Sequence, residues 1–114
     1  MRFLVFSVCL FLSLPAFAQS FFSGLPDIPL MAGLTELEER ALSFDKAEGR
    51  ILSAAAALDD SVSIDEVEHF YLQSLPQFGW KIGENGSFIR GGEVLKMEFA
   101  EEGSQIVLLI RISP

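Results

Sequence analysis

Residues 63–80, SIDEVEHFYLQSLPQFGW, carry the clearest hydrophobic period in the chain. At about 100° per residue, Ile64, Val67, Phe70, Tyr71, Leu75 and Phe78 share one broad face, while Asp65, Glu66, His69 and Gln73 point away. Ser63 followed three residues later by Glu66 reads as a capping box, and Val62 with Val67 occupies the two positions of a hydrophobic staple. Gly79 is placed to stop the helix in a left-handed conformation, leaving Trp80 free to fold back on Leu75. Pro76 removes one helical hydrogen bond and disfavours a helical Leu75, so a kinked or 3₁₀ last turn is expected.

Beyond Trp80 the period changes from helical to alternating. Residues 80–83 meet Asn85-Gly86, a strong hairpin signal, and residues 87–90 meet Gly91-Gly92. In residues 93–100, Leu95, Met97 and Phe99 share one side; in residues 105–113, Ile106, Leu108, Ile110 and Ile112 do the same. Glu101-Glu102-Gly103-Ser104 turns between these two strands. Connections this short imply antiparallel pairing. Upstream, residues 50–58, RILSAAAAL, read as a strand although four consecutive alanines favour helix by propensity. Residues 45–49 form a hairpin loop before it. Residues 35–44 are ambiguous: their Glu and Leu content favours a short helix. The pattern as a whole predicts a two-layer α+β domain, one main helix at about 63–78 packed on an antiparallel sheet of about four to five strands.

The first 34 residues lack any such period. Arg2, the apolar run from Phe3 to Leu14, and Ala16-Phe17-Ala18 after Pro15 have the form of a signal peptide cleaved after Ala18. The run is too short to span a bilayer, which takes roughly 20 apolar residues, so stable membrane insertion after cleavage is not expected. Its short positive segment and small-x-small site suggest a bacterial periplasmic destination. Residues 19–34 contain Pro26, Pro29, Gly24 and Gly33, yet also Phe21, Phe22, Leu25, Ile28, Leu30 and Met31. They are too broken for a helix and too apolar for a disordered tail. We expect an extended arm that lies either on the domain or on a partner. The expected organisation is a signal peptide at 1–18, the arm at 19–34 and a single α+β domain at 35–114.

Composition narrows the chemistry. The one cysteine, Cys9, falls within the signal segment, so residues 19–114 offer no disulfide, thiol nucleophile or cysteine ligand. Those residues hold seven Lys and Arg (eight less Arg2) against sixteen Asp and Glu, a net charge of −9. Such a balance disfavours nucleic acid and anionic lipid, and suits a soluble protein or a basic partner.

Several stretches resemble a layout that recurs among small exported bacterial proteins. They are Pro29-Leu30-Met31-Ala32-Gly33, Phe44-Asp45 with Gly49-Arg50, Phe70-Tyr71 with Leu75-Pro76 and Gly79-Trp80, and Arg90-Gly91-Gly92-Glu93-Val94-Leu95. In that layout a Pro-x-x-x-Gly opening leads to two strands, an FY…L…GW helix and a closing meander. The resemblance implies the strand reading of residues 50–58. It implies no activity, because its motifs describe a helix face and its stop.

Candidate chemistry is sparse. His69, the only histidine, falls on the polar helix face near Asp65 and Glu66. Zinc sites commonly draw more than one His or Cys, so a solvated helix back is the better reading. The carboxylate pairs Asp59-Asp60, Glu38-Glu39 and Glu101-Glu102 sit beside turn residues, where nothing tunes them for acid–base work. No G-x-S-x-G, S-x-x-K or phosphate loop is present. No catalytic, metal or cofactor residue is therefore assigned. What remains is surface: the arm residues Phe21, Phe22, Leu25 and Ile28, and the sheet back carrying Val94, Val107 and Leu109. The last strand is expected to be an exposed edge open to strand addition. The leading expectation is a small non-enzymatic periplasmic protein acting by protein contact, an accessory subunit of an envelope assembly. The alternative is a carrier of a small apolar ligand between helix and sheet. A hydrolase using the paired carboxylates ranks third.

Overall fold

The computed structural model describes residues 19–114; the expected signal peptide lies outside the described residues. Seven strands and one helix follow in chain order. The strands are β1 (Leu34–Glu36), β2 (Leu42–Lys46), β3 (Gly49–Leu58), β4 (Lys81–Ile82), β5 (Phe88–Arg90), β6 (Glu93–Glu102) and β7 (Gln105–Ser113), and α1 (Ile64–Ser74) lies between β3 and β4. All pairings are antiparallel. Across the sheet the order is β1, β3, β7, β6, β5, β4, with β2 also paired to β3. The helix thus carries the chain to the far edge, and the meander steps back until β7 pairs with β3. The fold class is α+β, as the pattern predicts.

The strand count exceeds the expected four to five because residues 35–44 do not form a helix. Pairing with β3 turns them into β1 and β2, laid end to end along the same side of that strand. The helical tendency of Glu38, Glu39 and Arg40 survives only as one 3₁₀ turn, Glu38–Arg40. Tertiary pairing overrides local propensity here.

The helix begins at its expected cap, with one of the two bonds of a capping box. The Ser63 hydroxyl accepts from the Glu66 amide at 3.1 Å, which satisfies one of the free first-turn donors. Pro76 passes the chain into a 3₁₀ turn, Leu75–Phe78. Gly79 follows at φ 88°, where a side chain would be strained. The Gly79 amide bonds Pro76 O at 3.1 Å and the Trp80 amide bonds Leu75 O at 3.2 Å, the paired contacts of a Schellman stop. Trp80 and Leu75 are both buried in the core beside it.

One face of the sheet, here the front, carries that core. Ala54 and Ala56 of β3, Leu108, Ile110 and Ile112 of β7, Leu95 of β6 and Phe88 of β5 are buried there with Val67, Tyr71 and Leu75 of the helix. Ala54 and Ala56 are 3% and 0% exposed in that cluster, so the run of small residues in β3 is a core-facing strand and not a helix. The helix alone does not cover the front. Phe22, Leu25 and Ile28 of the arm are 0–1% exposed and belong to the same core cluster. The arm is therefore an integral part of the domain, and no physical boundary separates residues 19–34 from the rest.

Local and distant bonds hold the arm in place. Ser20 O accepts from the Leu30 amide at 2.7 Å, and Phe22 and Ile28 close the loop between them. The Ser23 amide and hydroxyl both donate to the Glu36 carboxylate at 2.8 Å. The buried Tyr71 hydroxyl donates to Pro29 O at 2.7 Å, and burial pushes its phenol well above the ordinary tyrosine range. Arg90 donates to Asp27 at 2.6 Å and to Phe78 O at 3.0 Å, and its guanidinium sits 4.3 Å from the Trp80 ring centroid. One arginine thus joins the arm, the helix stop and β5.

Candidate interaction surface

Strand alternation places every second residue of the sheet on the back, and the register arranges them in rows. Leu42, Ser53, Arg111 and Lys96 form one row across β2, β3, β7 and β6. Ala55, Leu109 and Glu98 form the next, and Thr35, Ala57, Val107 and Ala100 the one after. On the other side of the first row, Ser113, Val94, Ile89 and Lys81 lie in register, and Phe44 pairs with Ile51.

Neither the helix nor the arm lies on this face. Its cover is partial and comes from the edges. Leu37 donates to Ala55 O at 2.8 Å, which brings the 3₁₀ turn against β3. From that turn Arg40 reaches both carboxylate oxygens of Glu102, at 2.8 and 2.9 Å. This bridge ties the edge turn to the tip of the β6–β7 hairpin. On the side of the face it spans, Ala55, Ala57 and Val107 are 1–5% exposed. Beside the covered strip lies an open groove of about 680 Å³, lined by Arg40, Leu42, Ser53, Leu109, Lys96 and Arg111 among others. Leu42 stands 55% exposed in it, and on the same face outside it Phe44 is 50% and Ile89 45% exposed.

The residues named from the sequence divide accordingly. Val94 and Leu109 are half-buried on the back face, and Val107 is on the same face but covered. Phe21 stays 39% exposed and packs edge-on against Phe78, with ring centroids 5.7 Å apart. Phe22, Leu25 and Ile28 lie in the front core, so they offer no surface. The arm covers the helix side of the sheet, not the side carrying Val94 and Leu109. The last strand is not an edge: β7 is paired on both sides, by β3 and β6. The edges belong to β1 and β2, end to end along β3, and to the two-residue β4; all five residues of β2 are exposed.

Two features escaped the sequence reading. Leu42 and Phe44 alternate within LSFDK, a strand signal hidden by the Glu-rich residues before it. A second groove of about 530 Å³ opens at the flank of the helix, where Leu72 and Ile82 face Phe88, Met97 and Phe99. The centre of the helix–sheet layer is filled, with Val67, Tyr71, Leu75, Leu95 and Leu108 each 0% exposed.

His69, Asp65 and Glu66 are exposed on the helix back, and no group of three potential metal ligands occurs among the described residues. Asp59-Asp60, Glu38-Glu39 and Glu101-Glu102 are exposed as well, with Glu102 engaged by Arg40. No helix among the described residues is long and apolar enough to cross a membrane. Comparison with protein-family models, curated proteins and solved structures brings out no match, so any functional reading rests on this geometry.

Proposed function

We propose that this chain is a small exported, non-enzymatic protein, periplasmic in a bacterial host, that acts by docking another envelope protein on the back of its sheet. The observation that carries the reading is the contrast in cover. The front of the sheet is packed by helix and arm, whereas the back has an open groove lined in part by Leu42 and leaves Leu42, Phe44 and Ile89 about half exposed on the same face. Exposed apolar groups gathered beside a groove, with charged neighbours, are the usual anatomy of an interaction site. In this role the protein is an accessory subunit whose rigid front core presents its back face.

Site-specific photo-cross-linking in the exporting cell tests the reading. A photoreactive residue at Phe44 is expected to give one discrete adduct with an envelope protein, and the same residue at Gln73 on the helix back none. Equal labelling at both positions, or none at Phe44, overturns it. Export itself predicts a soluble chain beginning at Gln19 by mass spectrometry; an intact Met1 on soluble periplasmic material contradicts it.

The helix-flank groove favours a second reading, carriage of a small apolar ligand. Its size fits a ligand site of a few hundred Å³, and Leu72 and Ile82 are 47% and 64% exposed beside it. The filled centre confines such a ligand to the flank. Leu72→Gln with Ile82→Gln should then abolish uptake of a fluorescent apolar probe, while loss of uptake with Phe44→Ser instead would place the ligand elsewhere.

A further inference from the structure

The charges of this acidic chain are sorted by face. Five of the seven cations in residues 19–114, Arg40, Lys46, Lys81, Lys96 and Arg111, fall on the back of the sheet or on the turn that lines its groove. The other two, Arg50 and Arg90, are held in ion pairs with Glu93 and Asp27. Only Glu98 and Glu102 stand on strand positions of the back face, and Glu102 is taken by Arg40. The opposite side of the molecule presents Asp65, Glu66 and Glu68 on the exposed back of the helix.

Within the groove, Lys96 and Arg111 occupy directly opposed positions on β6 and β7. Like charges facing each other across an antiparallel pair are destabilising. Neither side chain joins any of the three ion pairs among the described residues. A chain with sixteen Asp and Glu thus places two cations side by side on an open face without an ion-pair partner among the described residues, Glu98 being the one acidic side chain on the same groove lining. Ser53 flanks them on one side, and Leu42 and Leu109 supply apolar contact next to them.

We propose that this groove docks an acidic segment of a partner protein. One carboxylate of the segment is gripped by the Arg111 fork and a second by Lys96, and an adjacent apolar side chain rests on Leu109 and Leu42. Arginine offers paired donors matched to a carboxylate, and lysine a point charge beside it. A recessed groove with Glu98 on its lining suits a chain segment better than a flat anionic lipid surface. The proposal rests on the docking reading above and adds the chemistry of the partner.

The test uses residues 19–114 and three labelled synthetic peptides. Each has a Ser/Gly-rich frame around a central block in which Leu alternates with Glu, with Ser or with Lys. Fluorescence anisotropy at low salt should rank them Glu, then Ser, then Lys, with the Glu peptide weakened as salt rises. The double variant Lys96→Gln/Arg111→Gln should lose at least tenfold in affinity for the Glu peptide. Gln73→Glu/Gln77→Glu changes net charge by the same amount on the helix back and should stay within twofold of the parent. Amide shifts in an NMR titration should centre on Ser53, Leu109 and Arg111.

Equal weakening by both double variants would reduce the effect to net charge and overturn the proposal. So would a Ser or Lys peptide binding as tightly as the Glu peptide, or binding by none of the three. Attachment to phosphatidylglycerol vesicles that depends on Lys96 and Arg111, without peptide binding, would replace the protein segment with a lipid surface. Cross-linking at Phe44 is independent of these charges, so the docking reading stands or falls separately.

Discussion

The two faces of this sheet are built from the same strands, yet they follow opposite rules. On the front, alternate residues are apolar and mostly buried, large on β7 and small on β3, and every polar contact with the arm is a directed one: Ser23 to Glu36, Tyr71 to Pro29, Arg90 to Asp27. On the back, alternate residues are small, charged or half-exposed, and the main polar tie is the Arg40–Glu102 bridge at the surface. The difference teaches that the packed core and the open surface of a domain of this size are divided between the two faces of one sheet. Burial of the front supplies the folding free energy, so the back is free to keep groups that a core would reject.

That separation can be broken from the front with large effect. Deleting residues 19–31 removes Phe22, Leu25 and Ile28, each worth about 1.5–3 kcal/mol when buried, from a fold whose total stability is on the order of 5–15 kcal/mol. We expect no cooperative thermal transition by circular dichroism; an unchanged melt would mean that the arm is not part of the core. Trp80→Ala should cost about 3–5 kcal/mol in urea denaturation. In the parent protein this sole tryptophan, 1% exposed, should emit as a buried indole, and a water-like emission maximum would contradict its placement.

Smaller effects sharpen the contrast. Gly79→Ala should cost about 1 kcal/mol, because φ is positive there and the new Cβ would lie 3.3 Å from the Arg90 side chain. Glu93 tests the rim. Its hydrogen bond from Arg50 holds the carboxyl below its ordinary range, against the opposing effect of partial burial. A depressed carboxyl contributes stability that is present above the unfolded value, about 4.3, and is lost as pH falls through the lower folded value. Arg50 is largely exposed, so the contribution is under about 1 kcal/mol. Glu93→Gln should flatten the acid limb of the stability curve, and an unaltered limb would show that the pair is idle. Smallest of all, Leu42→Ser with Phe44→Ser should shift stability by no more than about 0.5 kcal/mol. A loss comparable to that of Trp80→Ala would make the back face a second core.

Much of the front was legible because its signals are local. The Ser63 cap, the Val67, Tyr71 and Leu75 spacing, the Pro76 turn and the Gly79 stop all act within a few residues. Asn85-Gly86 also gives the expected left-handed pair, with φ of 55° and 72°. What could not be read is what depends on distant partners. The arm announced that it was too apolar for water, but not that the uncovered front would receive it. The central place of β7 is a matter of strand order, although Val107 and Leu109 between the inward residues already make it apolar on both faces, as an interior strand tends to be. The Lys96–Arg111 opposition lay between these extremes. It follows from the Glu102–Gln105 closure of the hairpin, because a two-residue turn sets the register of everything behind it.

Arg90 has a further consequence, in time. Asp27, which it grips, lies 63 residues earlier in the chain, and β3 pairs with β7 residues 50 to 60 positions later. A polypeptide that emerges N-terminus first presents the arm at the outset and completes the arm's socket only near the end. Phe22, Leu25 and Ile28 therefore lack part of their core, Phe88, Leu95 and the β7 residues, until late in emergence, as β3 lacks its inner partner. Contacts of such long sequence separation close slowly. An early segment of the chain is thus among the last to come to rest.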